Sequence, residues 1–173
     1  MGVDPTAFIH PKALVEGSTI GPRTKVWQFA SVIRGTVLGE DCNVSSTALL
    51  DGPRFGNRCI VGQGVAIGPG FYVGDDVFIG PNVTLCNDRW PCTDKGDFDA
   101  GRFKEGLITI YVYDGAAIGA NAVVLPGMTI GRRAMIAAGA VCNRSVPDEH
   151  LFTRDGKVIP IKPEWRQRRM WAA

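Results

Sequence analysis

The chain has 173 residues, the length of one domain, and 19 Lys plus Arg against 17 Asp plus Glu leave a net charge of +2. Nucleic acid is therefore not the expected partner, and no apolar run approaches the roughly 18 residues of a membrane helix. Glycine, 22 of 173 residues, is nearly twice as frequent as in ordinary domains, so the fold needs it repeatedly.

Met1-Gly2-Val3-Asp4-Pro5-Thr6 fits the loose pattern for N-myristoylation, but it runs straight into a repeat and reads as a first turn. No basic region leads into an apolar one before Val15, so no secretory signal is expected and the expected compartment is the cytoplasm. From Phe8 onward apolar residues recur every six positions. Phe8, Leu14, Ile20, Val26, Val32, Leu38, Val44 and Leu50 form one register. Phe55, Val61, Ile67, Val73, Ile79 and Leu85 form a second, and Val112, Ile118, Val124, Ile130 and Ile136 a third. Glycine follows nine of these 19 positions. A helix would demand spacings of three and four.

A period of six with one inward aliphatic residue fits a short strand, a turn of about 120° and a repeat, so three sides close a coil of 18 residues. Stacked coils pair their backbones at the strand spacing and line the axis with the aliphatic column. The expectation is an all-β parallel β-helix of roughly six coils over residues 1–147, followed by an extension, 148–173. The step from Leu50 to Phe55 is five residues and holds Gly52-Pro53, which a bulged corner explains. The step from Leu85 to Val112 is 27 residues, and residues 86–111 lose the period altogether. A loop of that length inside a compact repeat is usually functional, and this one interleaves Asp88, Arg89, Asp94, Lys95, Asp97, Asp99, Arg102, Lys104 and Glu105 with Trp90, Phe98 and Phe103.

After Val146-Pro147, residues Asp148 to Pro163 read as an extended tail turning at Gly156, and Pro163 to Trp171 as a short basic helix. This tail caps the open edge of the last coil, as a solenoid requires. The five cysteines form no CxxC pair and read as small core or surface thiols. His10 and His150 are the only histidines, so the three histidine ligands of a catalytic zinc site are not present and no metal is expected. Within the loop, Asn87 and Asp88 beside Pro91 have the composition of a turn, since Asx side chains bond their own backbone.

Several stretches resemble the hexapeptide-repeat acyltransferases, most closely those that acetylate nucleotide-linked amino sugars for surface polysaccharides. Lys25-Val26-Trp27-Gln28-Phe29 is similar to an Ile-Trp-His-Phe segment of that group, with Gln28 where His is common. Phe78-Ile79-Gly80-Pro81-Asn82-Val83 leads through Cys86 into Asn87-Asp88-Arg89-Trp90-Pro91, which looks like an Asn-Asp-x-x-Pro element. Ala137 to Pro147 looks like the ending Gly-Ala-Gly-Ala-Val-Val-Thr-Lys-Asp-Val-Pro, with Arg144 in place of Lys; the Gly-Asn-Pro-Ala element common after it is missing.

The resemblance implies a left-handed β-helix, a homotrimer with sites between adjacent helices, acetyl-CoA as co-substrate and a nucleotide-linked amino sugar as acceptor. On that reading Ala120 and Ala138, one coil apart, line the pantetheine arm, while Arg144 and Asn143 meet the 3′-phosphate end. Asp88 orients the amine or takes its proton, and Asn87 holds a sugar hydroxyl or the developing oxyanion. Arg89 partners the diphosphate and Trp90 stacks on a ring. With no histidine in the loop an amine is a better acceptor than a hydroxyl, because an amine titrating near 7.7–8.0 is partly neutral already. O-acetyl transfer and a non-catalytic scaffold subunit are the alternatives.

Overall fold

A six-residue side leaves room for only two or three strand residues before each corner, and the computed structural model, which describes residues 2–91, 93 and 107–167, is built of such strands. β1 (Gly2–Val3), β2 (Phe8–Ile9) and β3 (Leu14–Glu16) make the first coil. β4 (Thr19–Ile20), β5 (Lys25–Val26) and β6 (Ser31–Ile33) make the second, and β7 (Val37–Leu38), β8 (Asn43–Val44) and β9 (Leu49–Asp51) the third. β10 (Arg54–Phe55), β11 (Ile60–Val61) and β12 (Ala66–Ile67) follow, then β13 (Phe71–Val73), β14 (Phe78–Ile79) and β15 (Thr84–Leu85). Beyond the loop come β16 (Ile110–Val112), β17 (Ala117–Ile118) and β18 (Val123–Val124). The last full coil is β19 (Thr129–Ile130), β20 (Met135–Ile136) and β21 (Val141–Cys142).

Every third strand joins the same parallel sheet, giving sheets of seven, nine and seven strands. The chain is a three-sided parallel β-helix of seven full coils, not six. An eighth begins at the Ile130–Val146 bridge and continues in β22 (His150–Phe152). Antiparallel β23 (Val158–Pro160) folds back on β22 through Gly156 and closes that edge, as the tail was expected to do. Helix α1, Pro163–Gln167, is the described part of the expected basic helix; its continuation to Trp171 lies outside the described residues. Among the described residues no helix is long and apolar enough to cross a membrane.

The inward column is fully buried from Ile20 to Ile136, but its first members are corrected by one position. Ile9 pairs with Val26 and Val15 with Val32, so Phe8 and Leu14 point outward and are 43% and 50% exposed. The reason is a second five-residue side, from Val15 to Ile20, at whose corner Ser18 Oγ donates to the carbonyls of Glu16 and Val32. The anticipated short side at Gly52-Pro53 is structural: Gly52 has φ 87° and its N–H bonds Thr36 Oγ1 at 2.9 Å.

From the second coil onward each corner between the first and second sheets carries a residue with positive φ, and this column reads Arg23, Asp41, Arg58 and Asp76, then Gly115, Arg133 and Glu149. Non-glycine residues seldom adopt that conformation. Here the side chains pair across adjacent coils: Arg23 grips both oxygens of Asp41, at 2.8 and 2.6 Å, and Arg58 those of Asp76, at 2.7 and 2.8 Å, while Arg133 bonds Glu149.

Candidate functional site

The expected site residues fall on two different corners of the prism. Asn87, Asp88 and Arg89 follow β15 at the corner between the third and first sheets. β15, β18 and β21 are in register through Leu85, Val124 and Cys142, so two residues further on Asn87, Pro126 and Arg144 share one column. Two strand spacings, about 10 Å, separate Asn87 from Arg144 along the axis. Asn87 is half-buried and its Nδ2 donates to Pro69 O at 3.1 Å, in the space that Gly68 leaves open. Asp88 Oδ1 accepts the Trp90 N–H at 2.9 Å, an Asx turn, and Trp90 itself is 82% exposed. The Arg89 guanidinium lies over the next coil, 3.9 Å from where a Cβ on Gly127 would sit. Asn143 and Arg144 are exposed, and Arg144 offers only its carbonyl to the chain, accepting from Cys142 Sγ at 3.2 Å. This corner therefore carries two arginines and the turn residues of the loop. Residues 94–106 and their charged and aromatic side chains lie outside the described residues.

Ala120 and Ala138 are on the neighbouring corner, between the second and third sheets, and the width of the third sheet separates them from Arg144. The register Val26, Val44, Val61, Ile79, Ile118, Ile136 places Gln28, Ser46, Gln63, Pro81, Ala120 and Ala138 in a single column. Gly80 and Gly119 pack directly against the backbone nitrogens of Ala120 and Ala138, which keeps the alanine end of the corner smooth. Ala120 O already accepts the Gly139 N–H at 2.8 Å, so not every backbone group there is open.

At its other end the same column opens into a cleft of about 480 Å³ lined by Trp27, Gln28, Ser45, Ser46, Ile60, Gly62, Gln63, Phe78 and Pro81. Sequence reasoning reached Trp27 and Gln28 through a motif but missed Ser45, Ser46 and Gln63. The signal was available: these positions repeat every 17 or 18 residues, two or one places after an inward aliphatic residue.

Among the described residues no histidine stands beside Asn87 or Arg144 at one corner, or beside Ala120 or Ala138 at the other. His10 Nδ1 accepts the Lys12 N–H at 3.1 Å and His150 Nδ1 contacts Asp148 O at 2.7 Å, at opposite ends of the helix. Burial pushes the Cys86 thiol up, and that of Cys142 up to about 11, so neither offers a thiolate near pH 7. Cys59, stacked on Cys42 and buried, is raised further still. Among the described residues no group of three or more His, Cys, Asp or Glu could hold a metal ion. What the arrangement can supply is hydrogen bonding, positive charge and a groove.

Two family models match the chain: bacterial transferase hexapeptide (six repeats) over residues 52–87, and hexapeptide repeat of succinyl-transferase over 114–144. A dTDP-3-amino-3,6-dideoxy-α-D-galactopyranose 3-N-acetyltransferase of Aneurinibacillus thermoaerophilus is 39% identical over 84% of this chain and 73% of its own length. The bifunctional protein GlmU of Lactococcus lactis is 30% identical over 83% of this chain but only 27% of its own. Among solved structures, the UDP-N-acetylglucosamine acyltransferase of Francisella novicida aligns with a TM-score of 0.62 at 16% identity, covering 99% of this chain and 74% of that one. A variant of AntD, an N-acyltransferase from Bacillus cereus in complex with dTDP and coenzyme A, gives 0.54 at 15%, covering 92% and 83%. At such identities the two structures speak for the fold.

Proposed function

This chain belongs to the hexapeptide-repeat acetyltransferases, and we propose that it carries an acetyl group from acetyl-CoA to the amine of a nucleotide-linked amino sugar. The observation that carries this reading is the 39% identity, across 84% of the chain, to an enzyme named for that reaction. The geometry agrees with it in kind. Both histidines bond their own backbone neighbourhood, so the site suits a nucleophile that needs no strong base.

In this proposal the arm of the donor follows the corner of Ala120 and Ala138 of one copy, and Arg144, with Asn143 beside it on the loop corner of the adjoining copy, takes the 3′-phosphate. A fraction of the sugar amine is neutral near pH 7 and attacks the thioester carbon. The C–N bond forms as the C–S bond breaks, Asp88 takes the proton from nitrogen and returns it to the departing sulfur, which leaves as the thiol of coenzyme A. Positioning supplies most of the acceleration. Asn87, whose Nδ2 is engaged by Pro69 and whose Oδ1 has no partner among the described residues, positions the loop's first turn and faces the acceptor through that oxygen. Arg89 takes the diphosphate and Trp90 a ring face.

Because the loop residues and the alanine groove occupy different corners of one chain, the proposal includes a homotrimer in which the loop of one copy meets the groove of the next. We place the enzyme in the cytoplasm, supplying a precursor of a surface polysaccharide such as lipopolysaccharide.

The test is thiol release from acetyl-CoA with dTDP-3-amino-3,6-dideoxy-α-D-galactopyranose, beside its 3-hydroxy analogue. Turnover of the amine alone supports N-acetylation, turnover of the hydroxy sugar makes the enzyme an O-acetyltransferase, and failure to bind coenzyme A by calorimetry would leave a scaffold subunit. Sedimentation equilibrium reads the number of chains.

A further inference from the structure

Among the described residues no Lys, Arg, Asp or Glu lines the cleft beside Trp27, and its volume is within the range of small-molecule sites. The side-chain amides of Gln28 and Gln63 and the hydroxyls of Ser45 and Ser46 have no hydrogen-bond partner among the described residues. This is not the habit of the chain elsewhere. At the opposite corner Asn57, Asp75, Asp114 and Asp148 each accept a backbone N–H from the coil before. One wall is fixed in place: Trp27 Nε1 donates to Asn43 Oδ1 at 2.7 Å, and the indole packs on Phe8 with centroids 5.3 Å apart. Immobile aromatic surface next to unengaged amides and hydroxyls is the chemistry that receives a neutral ring with an apolar face and a polar edge.

The column gives this site a direction. Arg144 is in the last full coil, so the charged end of a donor held there lies toward the C-terminus of the helix. Its arm then runs from Ala138 past Ala120 to Pro81, where the cleft begins. Gln63 is three strand spacings, about 14 Å, from the coil of Ala138. A ring seated in the cleft therefore meets the reactive end of the donor.

We propose that the cleft holds the amine-bearing sugar ring of the acceptor, its apolar face on Trp27 and Phe78 and its hydroxyls on Gln28, Gln63, Ser45 and Ser46. Gln28 and Gln63 are then specificity-determining residues, selecting an uncharged sugar by its hydroxyl pattern. The described lining offers a diphosphate no cation, and a nucleobase in the cleft would carry the amine away from the thioester. The proposal rests on the reading of the chain as an amino-sugar N-acetyltransferase.

Two variants of the full-length protein test it. Gln63→Ala should raise the KM of dTDP-3-amino-3,6-dideoxy-α-D-galactopyranose at least tenfold while the KM of acetyl-CoA stays within twofold. Ser46→Trp, which fills the cleft, should abolish saturation-transfer NMR signals from the methyl glycoside of the same amino sugar and leave those from thymidine. Circular dichroism melts establish that both variants are folded, and Gln28→Ala replaces Ser46→Trp if the latter is not. A rise in the acetyl-CoA KM instead, unchanged glycoside binding in the filled variant, or loss of thymidine with the glycoside retained would each overturn the assignment. If the wild-type protein acetylates no amino sugar yet binds the glycoside and loses it in Ser46→Trp, the transferase reading fails and the cleft assignment stands.

Discussion

The backbone N–H of Asn57 donates to Asp75 Oδ1, one coil further along, at 2.8 Å, and that carboxylate fills the space above Gly56. The relation repeats along the corner: Glu40 N to Asn57 Oδ1 at 3.0 Å, Asp75 N to Asp114 Oδ1 at 3.0 Å. A Cβ on Gly56 would overlap Asp75 Oδ1 and approach the Gly74 carbonyl carbon to 2.8 Å. Gly56→Ala should therefore cost about 2–3 kcal/mol, the penalty of overpacking plus a weakened backbone bond. Thermal melts should show a drop of several degrees. Gly2→Ala, with nothing within 4 Å of the added carbon, should melt with the wild type.

Ala138 is exposed and Gly119 supports its backbone from below, so bulk at this position changes the groove without disturbing the stack. Ala138→Trp should raise the acetyl-CoA KM steeply in a protein whose oligomeric state and melting temperature are unchanged. Normal donor binding in this variant would remove the donor from that corner.

Arg144 has no side-chain partner among the described residues, so it is available to an anion. Calorimetry on Arg144→Ala should find coenzyme A weakened by tenfold or more and 3′-dephospho-coenzyme A nearly unaffected, since only the phosphate loses a charge-assisted bond. Equal weakening of both would place Arg144 against another part of the molecule.

The double variant His10→Ala, His150→Ala should keep kcat within about tenfold, whereas loss of a general base typically costs 10²–10⁴. Asp88→Ala should cost more than the pair. The pH profile should rise with an apparent pKa that follows the sugar amine and is indifferent to histidine removal. A loss above about 10²-fold in His10→Ala, with fold and donor binding intact, would end the unaided-amine mechanism.

Arg23 holds the Asp41 carboxyl below the ordinary carboxylate range, and Arg58 does the same for Asp76, through paired hydrogen bonds. A folded-state pKa below the unfolded value, about 3.9, stabilises the fold fully above that value. The contribution disappears as pH falls through the depressed folded value. Melting temperature should thus be flat from pH 8 to 5 and decline below pH 4, modestly because these pairs are exposed. Asp76→Asn should lower the plateau and flatten the decline; parallel curves for variant and wild type would contradict this.

Much of the fold was legible because one buried position in six must be aliphatic, and the period survives every polar substitution around it. It failed where two apolar residues stand side by side: Phe8-Ile9 and Leu14-Val15 satisfy the pattern in either register, and only the five-residue side before Ile20 decides between them. Coils were undercounted at the far end because the aliphatic period stops at Ile136, whereas Cys142, Val146 and Phe152 continue the core beyond it. The candidate site was legible as residue types but not as places. Ala138 and Arg144 are six residues apart in sequence, which on this fold is a whole side of the prism. The cleft was harder still, because its polar residues become neighbours only through stacking.

The register resumes after the loop as though nothing had intervened: Phe71 pairs with Ile110, Phe78 with Ala117 and Thr84 with Val123, each 39 residues on, where neighbours before the loop are 17 or 18 apart. Closing a segment of doubled length adds only about 0.6 kcal/mol of chain entropy. The scaffold is thus nearly indifferent to what is inserted between β15 and β16: that one segment can be exchanged while every pairing that holds the prism together is inherited unchanged.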